Sequence, residues 1–392
     1  MDGDMAAAGA SVEQLEAKLS ERLAGIVPDV EIAHKAQVAW EVNRLKRERG
    51  AVILGHNYME PALYHSVCDF VGDSLELSRK AAETEADPIV FCGVRFMAET
   101  AKILNPARTV LLPTERGGCS LASSITAEDV RRLKARYPGV PVVTYINTYA
   151  DVKAECDVCC TSSNAVRVVE AMPGDEVILI PDEYLTRNVA REVDKRVIMP
   201  TDEGVIEDVR ERMEHAGDEA QEGVRRSDSA IDASTRFGPE AGSPASNGGS
   251  LELRVIGWPG RCEVHEKFTV EDIEMVRRQF PDVFVLAHPE CSPEVVDAAD
   301  YSGSTSAMIR AVRDSDAPRY LLMTECAMAD NIVASAPEKE MVRLCSVRCP
   351  HMNEITLEQV LASLRNNQYV IEVDPDVAAR ARRSIERMLE IG

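Results

Sequence analysis

Apolar residues in this chain gather into short continuous runs, and the runs recur. Three of them end in a polar triplet: AVILGHNY (51–58), VPVVTYINT (140–148) and DVFVLAHPE (282–290). Each is followed by a helical pattern, then by a small polar cluster opening a second helix, in GDSLELSRKA, CTSSNAVRVVEA and GSTSAMIRAV. A second apolar run comes next (PIVFCG, EVILIP, RYLLMT), and a third later (TVLLP, LRVIGWP, MVRLC). Continuous β-branched runs alternating with helices predict parallel strands buried on both faces. Ser74 follows His56 by 18 residues, Ser162 follows Tyr145 by 17 and Ser304 follows His288 by 16. The pattern is that of an α/β protein made of three copies of one layered unit.

The copies are unequally spaced. Ser74 to Ser162 is 88 residues and Ser162 to Ser304 is 142, an excess of 54. The excess falls at 200–252, which ends in SDSAIDASTRFGPEAGSPASNGGS, a stretch poor in apolar residues. A charged helix is predicted over 203–216 and a disordered loop over 222–250. The expected division is a helical extension over 1–35, then units at 36–122, 123–265 (with the insert) and 266–392.

Composition narrows the function. At 392 residues the chain is long enough for two or three domains, and 45% apolar with 28% charged residues is ordinary for a globular protein. A net charge of -22 argues against nucleic acid as a partner, since a binder needs Lys and Arg to replace phosphate counterions. It leaves room for an anionic metabolite in a pocket lined by amides. The first 25 residues lack the basic and apolar regions of a signal peptide, and no apolar run is long enough to span a bilayer. A cytoplasmic location is expected, where 11 cysteines serve as small core residues, metal ligands or nucleophiles rather than a disulfide framework.

The repeat sorts those cysteines. Cys119 follows Ser74 by 45 residues and Cys349 follows Ser304 by 45; Cys262 follows Ser162 by 100, or 46 without the excess. Each lies just past a third strand, in LLPTERGGC, GWPGRC and RLCSVRC. Around a threefold axis the three thiols converge. Three thiolates with no fourth protein ligand leave a coordination position open. Zinc with a water fits such a set. A 4Fe–4S cube suits the symmetry better, presenting three equivalent irons and an apical one that is free to act as a Lewis acid. Cys156-Asp-Val-Cys159-Cys160 is a lone CxxC without a second pair, and reads as small buried residues in a helix.

Ligands of parallel α/β units bind beyond the carboxyl ends of the strands. His56-Asn57-Tyr58, Tyr145-Ile146-Asn147 and His288-Pro289-Glu290 are at those ends. The Ser/Thr clusters at helix starts offer N–H groups and a favourable dipole to an anion. His288 and Glu290 alternate along a strand end, a candidate acid/base pair. His265, three residues after Cys262, points into the same cavity.

The segments GHNY, GDSLELS, LLPTERGGCSLAS, TYINT, CTSSNA, WPGRCEVHEKF, HPEC, GSTSAM and CPHM, in this order, resemble those of the quinolinate synthase family. The resemblance covers about residues 50–370 apart from the insert. It implies a pseudo-threefold arrangement of three homologous αβα sandwich units with parallel sheets, with the active site and a 4Fe–4S cluster on the central axis. The implied reaction condenses iminoaspartate, supplied by an aspartate-oxidising enzyme, with dihydroxyacetone phosphate to give quinolinate, phosphate and water, in NAD biosynthesis. Cluster ligands carry over onto Cys119, Cys262 and Cys349, and the cluster would come from the iron–sulfur assembly machinery. Active-site positions carry over onto His56, Tyr58, Ser74, Tyr145, Asn147, Ser162, His265, His288, Glu290, Ser304 and Thr305. Of these Glu290, His288, Tyr58 and Tyr145 are the catalytic candidates. Three readings compete: another hydro-lyase or isomerase with an open-iron cluster, a non-enzymatic iron–sulfur sensor, and a (β/α)₈ barrel with structural thiols. The acidic charge and the three polar triplets oppose the sensor, and the threefold spacing opposes the barrel.

Overall fold

The structure, a computed structural model, describes residues 11–193, 196–198, 254–344 and 347–392. The helix expected at 203–216 and the loop expected at 222–250 lie outside the described residues, as does Cys345. Among the described residues thirteen strands form three parallel sheets. The first holds β1 Val52–His56, β2 Phe70–Gly72, β3 Ile89–Cys92 and β4 Val110–Leu111, in the order β2-β1-β3-β4. The second holds β5 Val142–Tyr145, β6 Val158–Cys160, β7 Glu176–Ile180, β8 Arg196–Ile198 and β9 Arg254–Ile256, in the order β6-β5-β7-β9-β8. The third holds β10 Val283–Ala287, β11 Tyr301–Ser302, β12 Arg319–Met323 and β13 Glu340–Val342, in the order β11-β10-β12-β13. One order is thus repeated three times, and β8 is an addition at the edge of the second sheet. The fold is α/β, built from three αβα units.

Each of the spans 36–122, 123–265 and 266–392 contains one sheet. Their edges fall inside helical elements. Residue 35 is within helix Asp29–Arg49, and the other two cuts fall in the short turns Ser120–Ser123 and His265–Lys267.

The apolar runs form strands because both of their faces are covered. In the third sheet Val283, Val285, Ala287, Leu321 and Met323 pack into one buried cluster, while Leu286, Tyr320 and Leu322 pack into another. Alternate side chains go to opposite faces, and both faces are apolar. The edge strands β2, β6 and β11 carry too few residues to show in the hydrophobic pattern. An aspartate fixes each of them. Asp69, Asp157 and Asp300 each accept through Oδ2 from the N–H of Ile53, Val142 and Val285, all at 2.8 Å. Their own N–H groups donate back to the carbonyls of the same three residues. Cys159 and Cys160 are on β6, not on the helix expected for them, and Cys156 precedes it; all three are buried.

The units clasp one another in a ring. Helix Arg95–Leu104 of the first unit carries Glu99, whose Oε2 accepts from Ala150 N–H just past the strand-end loop of the second, at 3.0 Å. Helix Glu183–Glu192 of the second carries Asn188, whose Nδ2 donates to the Pro289 and Cys291 carbonyls of the third at 2.9 and 3.0 Å. Helix Cys326–Ser335 of the third carries Asn331, whose Nδ2 donates to the Asn57 and Met59 carbonyls of the first at 3.1 and 2.9 Å. All three side chains are buried.

The chain also closes on itself. Seven residues after each of Cys119, Cys262 and Cys349 comes a threonine, Thr126, Thr269 or Thr356, whose hydroxyl accepts from the N–H of Asp129, Asp272 or Gln359. Such a cap satisfies an orphan donor of the first helical turn. The first two capped helices, Ala127–Arg136 and Val270–Gln279, lead into β5 and β10. The third, Leu357–Asn366, returns to the first unit and packs on helix Asp29–Arg49 and β3. Residues 369–371 then pair antiparallel with β4, and helix Pro375–Ile391 packs against β6 and the helices Arg95–Leu104 and Ala150–Ala154. Among the described residues no helix is long and apolar enough to cross a membrane.

Asn331→Ala leaves two buried carbonyls unpaired, and each costs about 1–3 kcal/mol. A clear drop in the thermal midpoint is expected, larger than for a surface Asn→Ala change; an unchanged midpoint would show that the clasp contributes nothing.

Candidate active site

The carboxyl ends of the central strands and the three cysteine turns face one cavity of about 700 Å³, part of it open to solvent. Of the residues singled out in the sequence, His56, Tyr58, Ser74, Cys119, Tyr145, Asn147, Ser162, Cys262, His265, His288, Glu290, Thr305 and Cys349 line it. Ser304 does not. Its buried hydroxyl is used behind the wall, donating to Asp73 Oδ2 at 3.0 Å and accepting from Ala307 N–H as the cap of helix Thr305–Asp314. No Lys or Arg is among the lining residues.

The three cysteines are equivalent in detail. Each opens a single helical turn, its carbonyl accepting at 3.0 Å from the N–H four residues on: Ser123, Glu266 and Asn353. The N–H three residues on, of Ala122, His265 and Met352, hydrogen-bonds each sulfur. Burial raises all three thiols, Cys119 to about 12, and these amides oppose the rise. Gly260, in the Pro-Gly turn before Cys262, is required by space: a Cβ there would lie 2.4 Å from the Pro181 carbonyl oxygen. None of the described cysteines is in a disulfide.

Two histidines are held in the same way. The His56 Nδ1 accepts from Tyr58 N–H at 3.2 Å, and the His288 Nδ1 from Glu290 N–H at 3.3 Å. The neutral rings therefore carry their proton on Nε2. Burial lowers His56 to about 4 and His288 to about 3, although Glu290 pulls both upward. Both are neutral donors at neutral pH.

Glu290 is the charged centre of the site. It accepts from the Tyr145 hydroxyl and, at 3.4 Å, from Asn147 Nδ2. Glu290 stands beside both His288 and His265, and His265 is the closer. Past β10 the chain turns, with Cys291 N–H donating to the His288 carbonyl at 2.9 Å, so that His288 Nδ1 is 3.9 Å from Glu290 Oε2 while His265 Nδ1 is 2.7 Å from it. Burial pushes the carboxyl up, but His265, His288 and the Tyr145 hydroxyl outweigh it and hold Glu290 below the usual carboxylate range. Burial and the Glu290 charge raise both phenols, Tyr58 and Tyr145, which stay protonated.

Some members were not visible in the sequence. Thr324, at the end of β12, joins Tyr58 (2.5 Å) to His265 Nε2 (2.9 Å). His351 lies with Nε2 3.2 Å from Glu263, placing a residue of the third cysteine turn against one of the second. The alternation pattern carries no trace of either, because both follow from how units meet. The helix starts also differ from expectation. Asp73 accepts from Leu75 and Glu76 N–H in the first unit, as Ser304 does from Ala307 in the third, so these donors are taken. Only the start at Asn164 has no side-chain cap, and Thr161 and Ser162 beside it are on the wall.

The donor set fits a polynuclear centre. Among the described residues one group of three His, Cys, Asp or Glu ligand atoms lies mutually within 4.8 Å, Cys262, His265 and Glu290. The sulfurs of Cys119, Cys262 and Cys349 are not such a group: they face one cavity but stand too far apart for one ion of about 2.3 Å bond length. Three soft, convergent, separated thiols match a cluster better than a single zinc.

A ring of three parallel α/β units whose strand ends enclose thiols, neutral imidazoles and the ionised Glu290 defines an α/β metabolic enzyme. Residues 40–390 match the family described as quinolinate synthetase A protein. The quinolinate synthase 2 of Mesorhizobium japonicum is 44% identical over 381 residues, 97% of this chain and 99% of that protein. The quinolinate synthases of Agrobacterium fabrum (45% over 380 residues, 97% and 93%) and Xylella fastidiosa (46% over 347 residues, 88% and 85%) are similar in the same way. The chain belongs to the quinolinate synthetase A protein family.

The lowered histidines carry a sign. Unfolded imidazoles bind protons near pH 6.5, whereas His56 in the folded protein does so only near 4 and His288 near 3. Their contribution to stability is therefore complete above about pH 6.5 and is lost as pH falls through the folded values. In an NMR titration of the assigned ring protons, neither residue should protonate above pH 5; a midpoint between 6 and 7 for either would contradict the burial of its ring.

Proposed function

We propose that the chain makes quinolinate in this cavity, condensing iminoaspartate with dihydroxyacetone phosphate with loss of phosphate and water, as a step of NAD biosynthesis. The observation that carries the reading is the equivalence of the three cysteine turns, one from each unit, facing the cavity that also holds Glu290. Cys119, Cys262 and Cys349 would hold a 4Fe–4S cluster. When bound, it supplies an open iron as a Lewis acid for dehydration.

The remaining chemistry belongs to this chain's own side chains. Both substrates are anionic and the wall offers no Lys or Arg, so they are held by neutral donors. These are the Nε2–H groups of His56 and His288, the Asn147 amide, the hydroxyls of Ser74, Ser162 and Thr305, and the uncapped helix start beside Ser162. Removal of a proton alpha to the carbonyl of dihydroxyacetone phosphate needs a base within reach. Glu290 is ionised and buried, and the Tyr145 hydroxyl on its Oε1 can relay the proton. Tyr58, tied through Thr324 to His265, offers a second protonated hydroxyl. Burial of the set keeps water from competing for these donors. The enzyme works in the cytoplasm, takes iminoaspartate from an aspartate-oxidising enzyme and receives its cluster from the iron–sulfur assembly machinery.

Each of Cys119→Ala, Cys262→Ala and Cys349→Ala should abolish cluster assembly, measured as iron and sulfide per chain after anaerobic reconstitution, while Cys159→Ala assembles normally. A full cluster in any of the first three would remove that cysteine from the ligand set.

Glu290→Gln should retain the iron content and lose turnover by about 10²–10⁴-fold, the usual cost of a lost acid/base group. Near-normal quinolinate formation from iminoaspartate and dihydroxyacetone phosphate would take Glu290 out of the mechanism.

A further inference from the structure

Cys262, His265 and Glu290 bring a sulfur, a nitrogen and an oxygen within 4.8 Å of one another. This is a different set from the cysteine trio and shares one member with it. His265 is 1% exposed, and its ring is fixed by Thr324 on Nε2 at 2.9 Å. Its Nδ1 stands 2.7 Å from Glu290 Oε2, so in the metal-free protein the pair shares a proton that a cation would displace. A buried imidazole anchored on its far nitrogen, with its near nitrogen beside a carboxylate and a thiol, has the form of a metal-binding histidine with its outer partner in place.

We propose that Cys262, His265 and Glu290 form a mononuclear site for a zinc-like divalent cation, occupied when the cluster is absent and incompatible with it. Mixed S, N and O donors suit a borderline ion. Bond lengths of about 2.0–2.3 Å put the ligand atoms of a tetrahedral centre roughly 3–4 Å apart; here none of the three atoms is more than 4.8 Å from another, and the 2.7 Å between His265 Nδ1 and Glu290 Oε2 opens as the ion enters. The fourth position opens on the cavity. Zinc binds such donors more tightly than ferrous iron, so the ion competes with iron for Cys262. The incompatibility rests on the reading of Cys262 as a cluster ligand; the site itself does not. Filling it also takes Glu290 and His265 away from substrate, and the ion acts as an inhibitor.

The test uses the full chain, freed of cluster and titrated with Co²⁺ as a spectroscopic probe and with Zn²⁺ in competition. The wild type should bind one ion per chain, with a thiolate-to-cobalt charge-transfer band and four-coordinate ligand-field intensity. Cys262→Ala and His265→Ala should weaken binding at least about 100-fold, beyond the 10–100-fold typical of losing an outer partner. Cys119→Ala and Cys349→Ala should keep both the band and the affinity, although neither assembles a cluster, so the two readings fail separately. His265→Phe fills the space without a ligand atom, and a variant of wild-type thermal midpoint must also lose the ion. Preloading with Zn²⁺ should block reconstitution by iron and sulfide until a chelator is added. If Cys119→Ala or Cys349→Ala loses the ion while a folded His265 variant keeps it, the ion sits on the thiols and the proposal is overturned. Wild-type binding with no thiolate band overturns it equally.

Discussion

The site exists only because three strand-end loops from three separate sheets are held at fixed separations, and buried side chains of neighbouring units hold them. Asn331 grips the loop carrying His56 and Tyr58, Asn188 grips the one carrying His288 and Glu290, and Glu99 fixes the backbone just beyond Tyr145 and Asn147. A buried backbone carbonyl or N–H without a partner is costly, so each clasp has one favourable position. No unit can rotate relative to the next without breaking such a pair. The two histidines that accept from the N–H two residues on then inherit their orientation from loops already fixed.

Electrostatics follow from that enclosure. A chain of net charge -22 that handles anions would ordinarily place Lys or Arg in its pocket, and none is among the described residues that line this one. Burial keeps His56 and His288 neutral and the phenols protonated, so uncharged donors surround Glu290, and Asp73 and Glu263 are also on the wall. Such a wall binds an anion by direction rather than by net charge, which makes its grip sensitive to geometry. The amides aimed at the three sulfurs apply the same means to the thiols.

Much of this was legible in the sequence. Buried parallel strands announce themselves as unbroken apolar runs, and repeat spacing alone separated Cys119, Cys262 and Cys349 from the other eight cysteines. Edge strands such as Tyr301–Ser302 were not legible, because their pairing is fixed by an aspartate and not by apolar side chains. The placement of Cys159 on a strand escaped for a different reason: buried small residues look alike in either element. The partnership of His265 with Glu290 depends on a turn after β10 and on contact between units, and neither leaves a periodic trace. Ser304 shows the opposite error, a residue of the right type in the right place whose hydroxyl is spent on a cap.

The returning helix Leu357–Asn366 gives the ring a consequence in time. The ribosome delivers the three units in order, and the turn carrying Cys349 comes after the other two. The first unit is covered only when the segment from Thr356 onward arrives to lie on helix Asp29–Arg49 and beside β4. The part of the cavity wall that Cys349 and Met352 supply is therefore the last to form. A chain cut short before Cys349 lacks that wall, and its first unit stays uncovered.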